Sequence, residues 1–80
     1  MKIGVVTHYY PRIGVAIVNL TGAIHLKDRI RFQGATEFSQ SVTSIQIEHE
    51  QIDSASAGTT VGIKVTKAVA PHDEVILQRI

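Results

Sequence analysis

Four histidines are the residues of this chain whose chemistry could matter most: His8, His25, His49 and His72. They lie far apart in the sequence, and no two have the close spacing with which one element usually presents metal ligands. We therefore expect no metal site, and for each of the histidines a position at the surface or at a strand end. His49 stands out because it continues the face of Ile45 and Ile47. It is predicted to be either a hydrogen-bonded residue at a strand end or a partner contact.

The segment HYYPR suits recognition better than catalysis. Neighbouring residues of an extended chain point to opposite faces, so at least one of Tyr9 and Tyr10 is expected to face solvent near Arg12. An aromatic ring beside an arginine can stack on a nucleic-acid base or anchor a protein contact. The competing interpretation is that both rings cover the open end of a barrel.

A basic row follows in the segment KDRIR, where Arg29 and Arg31 point outward from a predicted strand and Lys27 precedes them. This row could meet phosphate, although a solvated strand face is the commoner explanation for such a row. The candidate partner-binding residues are thus Tyr9, Tyr10, Arg12, Lys27, Arg29, Arg31 and His49.

Motifs of catalysis and of nucleotide binding are missing from the sequence. A P-loop needs a glycine followed by lysine, and none of the six glycines has one. No GxSxG segment is present, and nothing in the spacing places a base beside a serine. We therefore expect a protein that is not an enzyme and that binds neither a nucleotide nor another cofactor.

Length and composition indicate one globular domain over residues 1–80. The chain is 44% hydrophobic, which supports a packed core, and it contains no cysteine, so packing and strand pairing must stabilise it. Its first residues form an apolar stretch too short for a signal peptide or a membrane span, and we expect a cytoplasmic location. The formal net charge of +1 is too small for strong long-range attraction of a polyanion.

Hydrophobic alternation with period two recurs along the chain and predicts strands rather than helices. In residues 15–20 both faces are largely apolar, which predicts a strand deep in the sheet. The segment GATEFSQS is predicted as a loop that Phe38 holds in place. Six strands with intervening turns predict an all-β fold, a small closed antiparallel barrel, because closure removes exposed edges. The six predicted strands cover about residues 2–8, 15–20, 29–33, 43–49, 61–65 and 75–80.

Two long segments, GAIHLKDRIRFQG and AGTTVGIKVTKAVAPHDEV, resemble patterns of domain 2 of elongation factor Tu, the translation-protein barrel. The chain is also similar to small translation elongation factor-like proteins and to the C-terminal barrel of collagenase-like peptidases, where VTHYYPRIGVA, GATEF and SIQIEH have counterparts. Lys27 and His72 stand where the family usually has glycine, and Thr59 where it has aspartate. Glycine permits positive φ at such turns, so these departures bear on turn geometry.

The resemblance implies a binding module that lacks a GTPase domain, and it leaves two hypotheses open. In one, a translation-associated module touches RNA or a ribonucleoprotein through the tyrosine segment and the basic row. In the other, an accessory domain binds a protein, as a subunit of a collagenase-like peptidase or of another enzyme. Self-association is a variant of the second hypothesis, because apolar Ile76 and Ile80 lie on the face opposite Val75 and Leu77.

Overall fold

The computed structural model describes residues 1–35 and 37–78, and within them the chain is built of β-strands and turns. In chain order these are β1 (Lys2–Tyr10), β2 (Val15–Leu20), β3 (Ile24–His25), β4 (Arg29–Gln33), β5 (Phe38–Ser41), β6 (Ile45–Ile47), β7 (Glu50–Ile52), β8 (Ser54–Ala55), β9 (Thr60–Lys64) and β10 (Glu74–Gln78). The prediction of an all-β fold is confirmed. The predicted strand over 75–80 corresponds to β10, and its last two residues lie outside the described part of the chain.

One antiparallel sheet carries most of the fold, in the order β5-β4-β10-β1-β2-β9-β6-β7, while β3 and β8 form a separate pair. The prediction of a closed barrel of six strands is wrong, because this sheet curls into a half-barrel. In the part of the chain that the structure describes, its edge strands β5 and β7 do not pair with each other. The second strand, β2, does lie deep in the sheet as predicted, between β1 and β9.

The side chain of Gln40 connects the two sides of the half-barrel, at a place where β5 and β9 do not pair with each other. Gln40 belongs to the edge strand β5, and its side chain is buried. Its amide nitrogen donates to the Lys64 carbonyl oxygen over 2.7 Å, and its amide oxygen accepts from the Thr66 backbone N–H over 2.9 Å. One side chain thus satisfies a backbone C=O group at the end of β9 and a backbone N–H group just beyond it, as a neighbouring strand would.

The segment GATEFSQS is partly a strand, so the prediction of a loop is wrong there. Phe38 begins β5 and stacks on Phe32 of β4 with ring centroids 5.0 Å apart, which fixes β5 against β4. Phe38 therefore does hold the segment in place, but as part of a paired strand. Thr36, in the middle of this segment, lies outside the described residues.

The predicted strand over residues 43–49 is also wrong in its second half. The chain pairs Ile47 with Glu50 and reverses direction between them, so β6 and β7 form a hairpin with a two-residue loop. Glu48 and His49 occupy that loop with φ of 49° and 69°. His49 therefore does not continue the face of Ile45, because it belongs to the turn and not to the strand.

The backbone at two turns confirms that residues standing in place of the family's usual glycines bear on turn geometry. Lys27 has φ of 74° and His72 has φ of 77°, the left-handed region that glycine enters at no steric cost. Next to His72, the buried Asp73 accepts hydrogen bonds from the backbone N–H groups of Ala35 and Ala70, each 3.0 Å long. This carboxylate ties the loop after β4 to the turn before β10.

The core lies inside the curl and consists of apolar side chains from the strands and from the segments before β6 and β10. Among its fully buried members, Phe32 has the greatest volume. Inward-facing residues of the central strands include Ile3, Val6, Ala16, Val18, Leu20, Val61, Ile63 and Val75. Since Ala16, Val18 and Leu20 take the inner face of β2, Val15 and Ile17 face the other way.

Candidate binding groove

A groove of about 470 Å³ lies on the outer face of the sheet, over strands β1, β2, β9 and β6. We call it the outer groove. Val15, Ile17 and Gly62 form its floor, where Ile17 pairs with Gly62 across the β2–β9 ladder. A Cβ at position 62 would lie 3.1 Å from a Val15 methyl carbon, so the missing side chain is what leaves the floor open. Its lining is predominantly apolar, as in most ligand sites.

Tyr10 and Ile13 form one wall of the outer groove and are exposed, with 48% and 57% of their surface accessible. A β-bulge between Val6 and His8 shifts the register of β1, so that Tyr9 packs against the core and Tyr10 faces outward. The Tyr10 ring stacks with that of His8 at a centroid distance of 6.2 Å. This confirms that at least one of the two adjacent tyrosines faces solvent.

The turn that carries Ile13 is fixed by hydrogen bonds. The backbone N–H of Gly14 donates to the Tyr10 carbonyl oxygen over 2.9 Å, and Gly14 has φ of 63°. The Lys64 ammonium donates to the Ile13 carbonyl oxygen over 2.7 Å, which ties the turn to β9. The wall is therefore held in place before any ligand arrives.

Gln46, Glu48 and His49 form the opposite wall, on β6 and its turn. Both turn residues have positive φ, as in a type I′ hairpin, where asparagine and glycine are the favoured residues. A glutamate in this conformation places strain in the backbone, and such strain concentrates at functional sites. Glu48 takes part in none of the ion pairs found among the described residues.

The sequence-predicted site residues divide between different surfaces. Tyr10 and His49 line the same groove, whereas Tyr9 is half-buried against the core and Arg12 is exposed in the neighbouring turn without lining the groove. The basic row lies elsewhere, on and before β4, which β10 and β1 separate from β2 in the sheet. It is also partly neutralised, since Arg31 pairs with Glu37 over 2.7 Å. No single surface therefore unites the seven candidates.

No sequence motif marks most of the groove residues as binding residues; those without any such signal include Ile13, Gln46, Glu48, Thr60 and Gly62. The outward Val15 and Ile17 are the exception, because the two apolar faces of β2 already indicate partial cover on both sides.

In the described part of the chain, no three His, Cys, Asp or Glu side chains come together in a way that could hold a metal ion. No helix within residues 1–35 and 37–78 is long and apolar enough to cross a membrane.

Comparison with known proteins gives two kinds of similarity, while no protein-family model matches the chain. An uncharacterized protease of Methanocaldococcus jannaschii is 32% identical over 79 residues, which are 96% of this chain and 19% of that protease. The chain thus spans about a fifth of the length of this relative.

The fold is that of a solved domain. The crystal structure of the C-terminal domain of a protein from Geobacillus thermoleovorans, assigned to the U32 peptidases, superposes with a TM-score of 0.90. The identity is 25%, and the match covers 96% of this chain and 91% of that domain. The selenomethionine variant of the same domain also gives 0.90, with 95% and 98% covered.

Both similarities are to peptidase-related proteins: the first relative is named as a protease, and the solved domain is the C-terminal domain of a protein assigned to the U32 peptidases. The likeness extends over nearly the whole chain and includes the half-barrel. The resemblance to elongation factor Tu stays a prediction, since neither similarity bears on it.

Proposed function

We propose that this chain is a non-catalytic accessory domain that works together with a U32-type catalytic domain. The observation that carries the proposal is the whole-domain match to the C-terminal domain from G. thermoleovorans. The match covers 91% of that domain, whereas this chain matches only 19% of the M. jannaschii protease. What the chain shares with these proteins is therefore one module, and the larger part of the protease lies outside it.

The geometry supports binding as the activity of this module. The outer groove is apolar at its floor and polar along one wall, which is the arrangement of sites that hold a ligand by burial and orient it by a few polar contacts. The turn residues Glu48 and His49, both with positive φ, belong to this groove. Binding through surfaces of this kind is what a non-catalytic domain can contribute to a peptidase.

The translation-associated hypothesis receives less support from the geometry. Its two elements, the exposed Tyr10 and the row of Lys27, Arg29 and Arg31, lie on separated parts of the sheet. The pairing of Arg31 with Glu37 further weakens the attraction for phosphate.

A binding experiment with purified components tests the proposal. The chain is titrated, by calorimetry, into the catalytic region of a U32-type peptidase from the same source that lacks its own C-terminal domain. We expect a one-to-one complex and faster cleavage of an unfolded protein substrate when the chain is present. An unrelated small β-domain of similar net charge serves as the control. Absence of a complex at about 100 µM, together with unchanged cleavage, would contradict the proposal.

The same titration with transfer RNA in place of the catalytic region tests the alternative. Tight binding that weakens steeply with salt would favour the RNA hypothesis, because phosphate contacts release counterions.

A further inference from the structure

We propose that the outer groove binds an extended segment of unfolded polypeptide that carries an apolar side chain next to a lysine or arginine. This inference goes beyond the accessory role, because it names the ligand chemistry of one site and does not depend on docking to a catalytic domain. Four features of the groove support it: its size, its charge, its unused polar groups and its strained turn.

The size of the groove suits a short peptide segment. Its volume of about 470 Å³ falls in the range typical of pockets that enclose small ligands. A stable protein interface buries about 800 Å² on each partner, which needs a surface well beyond these few residues. The open floor at Gly62, flanked by Val15 and Ile17, offers an apolar side chain a place to be buried.

The charge of the groove favours a ligand in which a cationic residue stands next to the buried apolar side chain. Glu48 contributes a formal negative charge, and no lysine or arginine lines the groove among the described residues. Because Glu48 forms no ion pair in the described part of the chain, its carboxylate is available to an incoming ammonium or guanidinium. An acidic peptide or a phosphate would meet repulsion at the same place.

Polar side chains beside the floor can hold the backbone of the ligand. The Gln46 amide and the Thr60 hydroxyl line the groove, and neither takes part in a side-chain hydrogen bond with other described residues. An amide group offers donors and an acceptor, which match the N–H and C=O groups of an extended peptide. The groove therefore offers partners for the backbone as well as for the side chains.

The turn of Glu48 and His49 indicates that these two side chains serve something other than the fold. An Asn-Gly pair would relax the backbone at φ values of 49° and 69°, and glycine there needs no steric compromise. A glutamate that raises the energy of the turn while lining a groove supports a binding role for its side chain.

Peptide titration of the isotope-labelled chain by nuclear magnetic resonance tests this inference. The probe is the blocked hexapeptide acetyl-Ser-Gly-Leu-Lys-Gly-Ser-amide, and two matched peptides replace its leucine by serine or its lysine by glutamate. We expect the largest amide shifts at Ile17, Gln46 and Gly62, and affinity at least tenfold weaker for each matched peptide. Equal affinity for all three peptides, shifts centred elsewhere, or no shifts at about 5 mM peptide would overturn the inference.

Three variants separate the ligand contact from the fold. Glu48→Gln should weaken binding of the lysine peptide about threefold, as expected for loss of an exposed ion pair. Glu50→Gln, two residues further on and outside the groove, is the matched control and should bind normally. The double variant E48N/H49G should melt at a higher temperature than the native chain and still bind more weakly. If that relaxed variant binds as tightly as the native chain, or if Glu48→Gln changes nothing, the inference is wrong.

The titration contains no catalytic domain, so its outcome is independent of the complex proposed above. Failure of peptide binding would leave the accessory role standing, and failure of the complex would leave the peptide site standing.

Discussion

Replacement of Gln40 by leucine is the sharpest test of how the half-barrel is held together. Leucine has a similar size and is apolar, so the packing of the buried site is largely kept while every hydrogen bond of the side chain is removed. The change leaves the Lys64 carbonyl and the Thr66 backbone N–H without the partner they have at 2.7 Å and 2.9 Å. We expect the variant to fold and to be clearly less stable.

The size of the loss follows from the two orphaned backbone groups. A buried polar group that loses its partner costs about 1 to 3 kcal/mol. Lys64 and Thr66 are exposed residues, so water can reach part of this region and the lower end applies to each group. The free energy of unfolding should therefore fall by about 2 kcal/mol, which lowers the melting temperature of a domain this small by about 8 to 16 °C.

Thermal unfolding followed by circular dichroism measures this loss. Gln33→Leu is the matched control, because Gln33 is exposed at the end of β4 and the same chemical change there should alter stability by less than about 0.5 kcal/mol. If Gln40→Leu and Gln33→Leu melt within two degrees of each other, Gln40 does not connect the two sides of the half-barrel and this reasoning fails.

Two further substitutions test contacts elsewhere in the fold. Asp73→Ala removes the acceptor of both the Ala35 and the Ala70 backbone N–H, and urea unfolding should show a loss of about 2 to 4 kcal/mol; a loss below 1 kcal/mol would mean that the carboxylate does not hold the two loops. Gly4→Ala places a methyl group 2.6 Å from a Val18 side-chain carbon, so overpacking should cost about 1 to 3 kcal/mol, and an unchanged melting temperature would contradict that close approach.

Much of the central sheet is predictable from the sequence, because local alternation determines which face of a strand is buried. The pattern over residues 15–20 and 29–33 matches β2 and β4 at their observed bounds. The apolar outer face of β2, which becomes the groove floor, is visible in the same pattern through Val15 and Ile17.

The remaining features depend on contacts between residues far apart in the chain. The polar segment FSQS gives no sign of a strand, since its burial comes from the Phe32 ring and from backbone groups near Lys64. The reversal at Glu48 and His49 escapes prediction for a different reason, because this pair lacks the Asn-Gly or Asp-Gly signal that marks a two-residue hairpin loop with positive φ. For the same reason His49 reaches the groove from a turn and not from a strand face.

The position of β10 in the sheet has a consequence for the folding rate and its cooperativity. This strand, late in the sequence, lies between β4 and β1 and joins the β4–β5 hairpin to the other strands. Without residues 74–78 no strand pairing joins the β4–β5 hairpin to the other strands of the sheet, and neither piece alone encloses the core. Folding must therefore bring together segments that are distant along the chain, and domains of this kind reach the native state in milliseconds to seconds. Because neither piece can be stable alone, loss of β10 should unfold both pieces together.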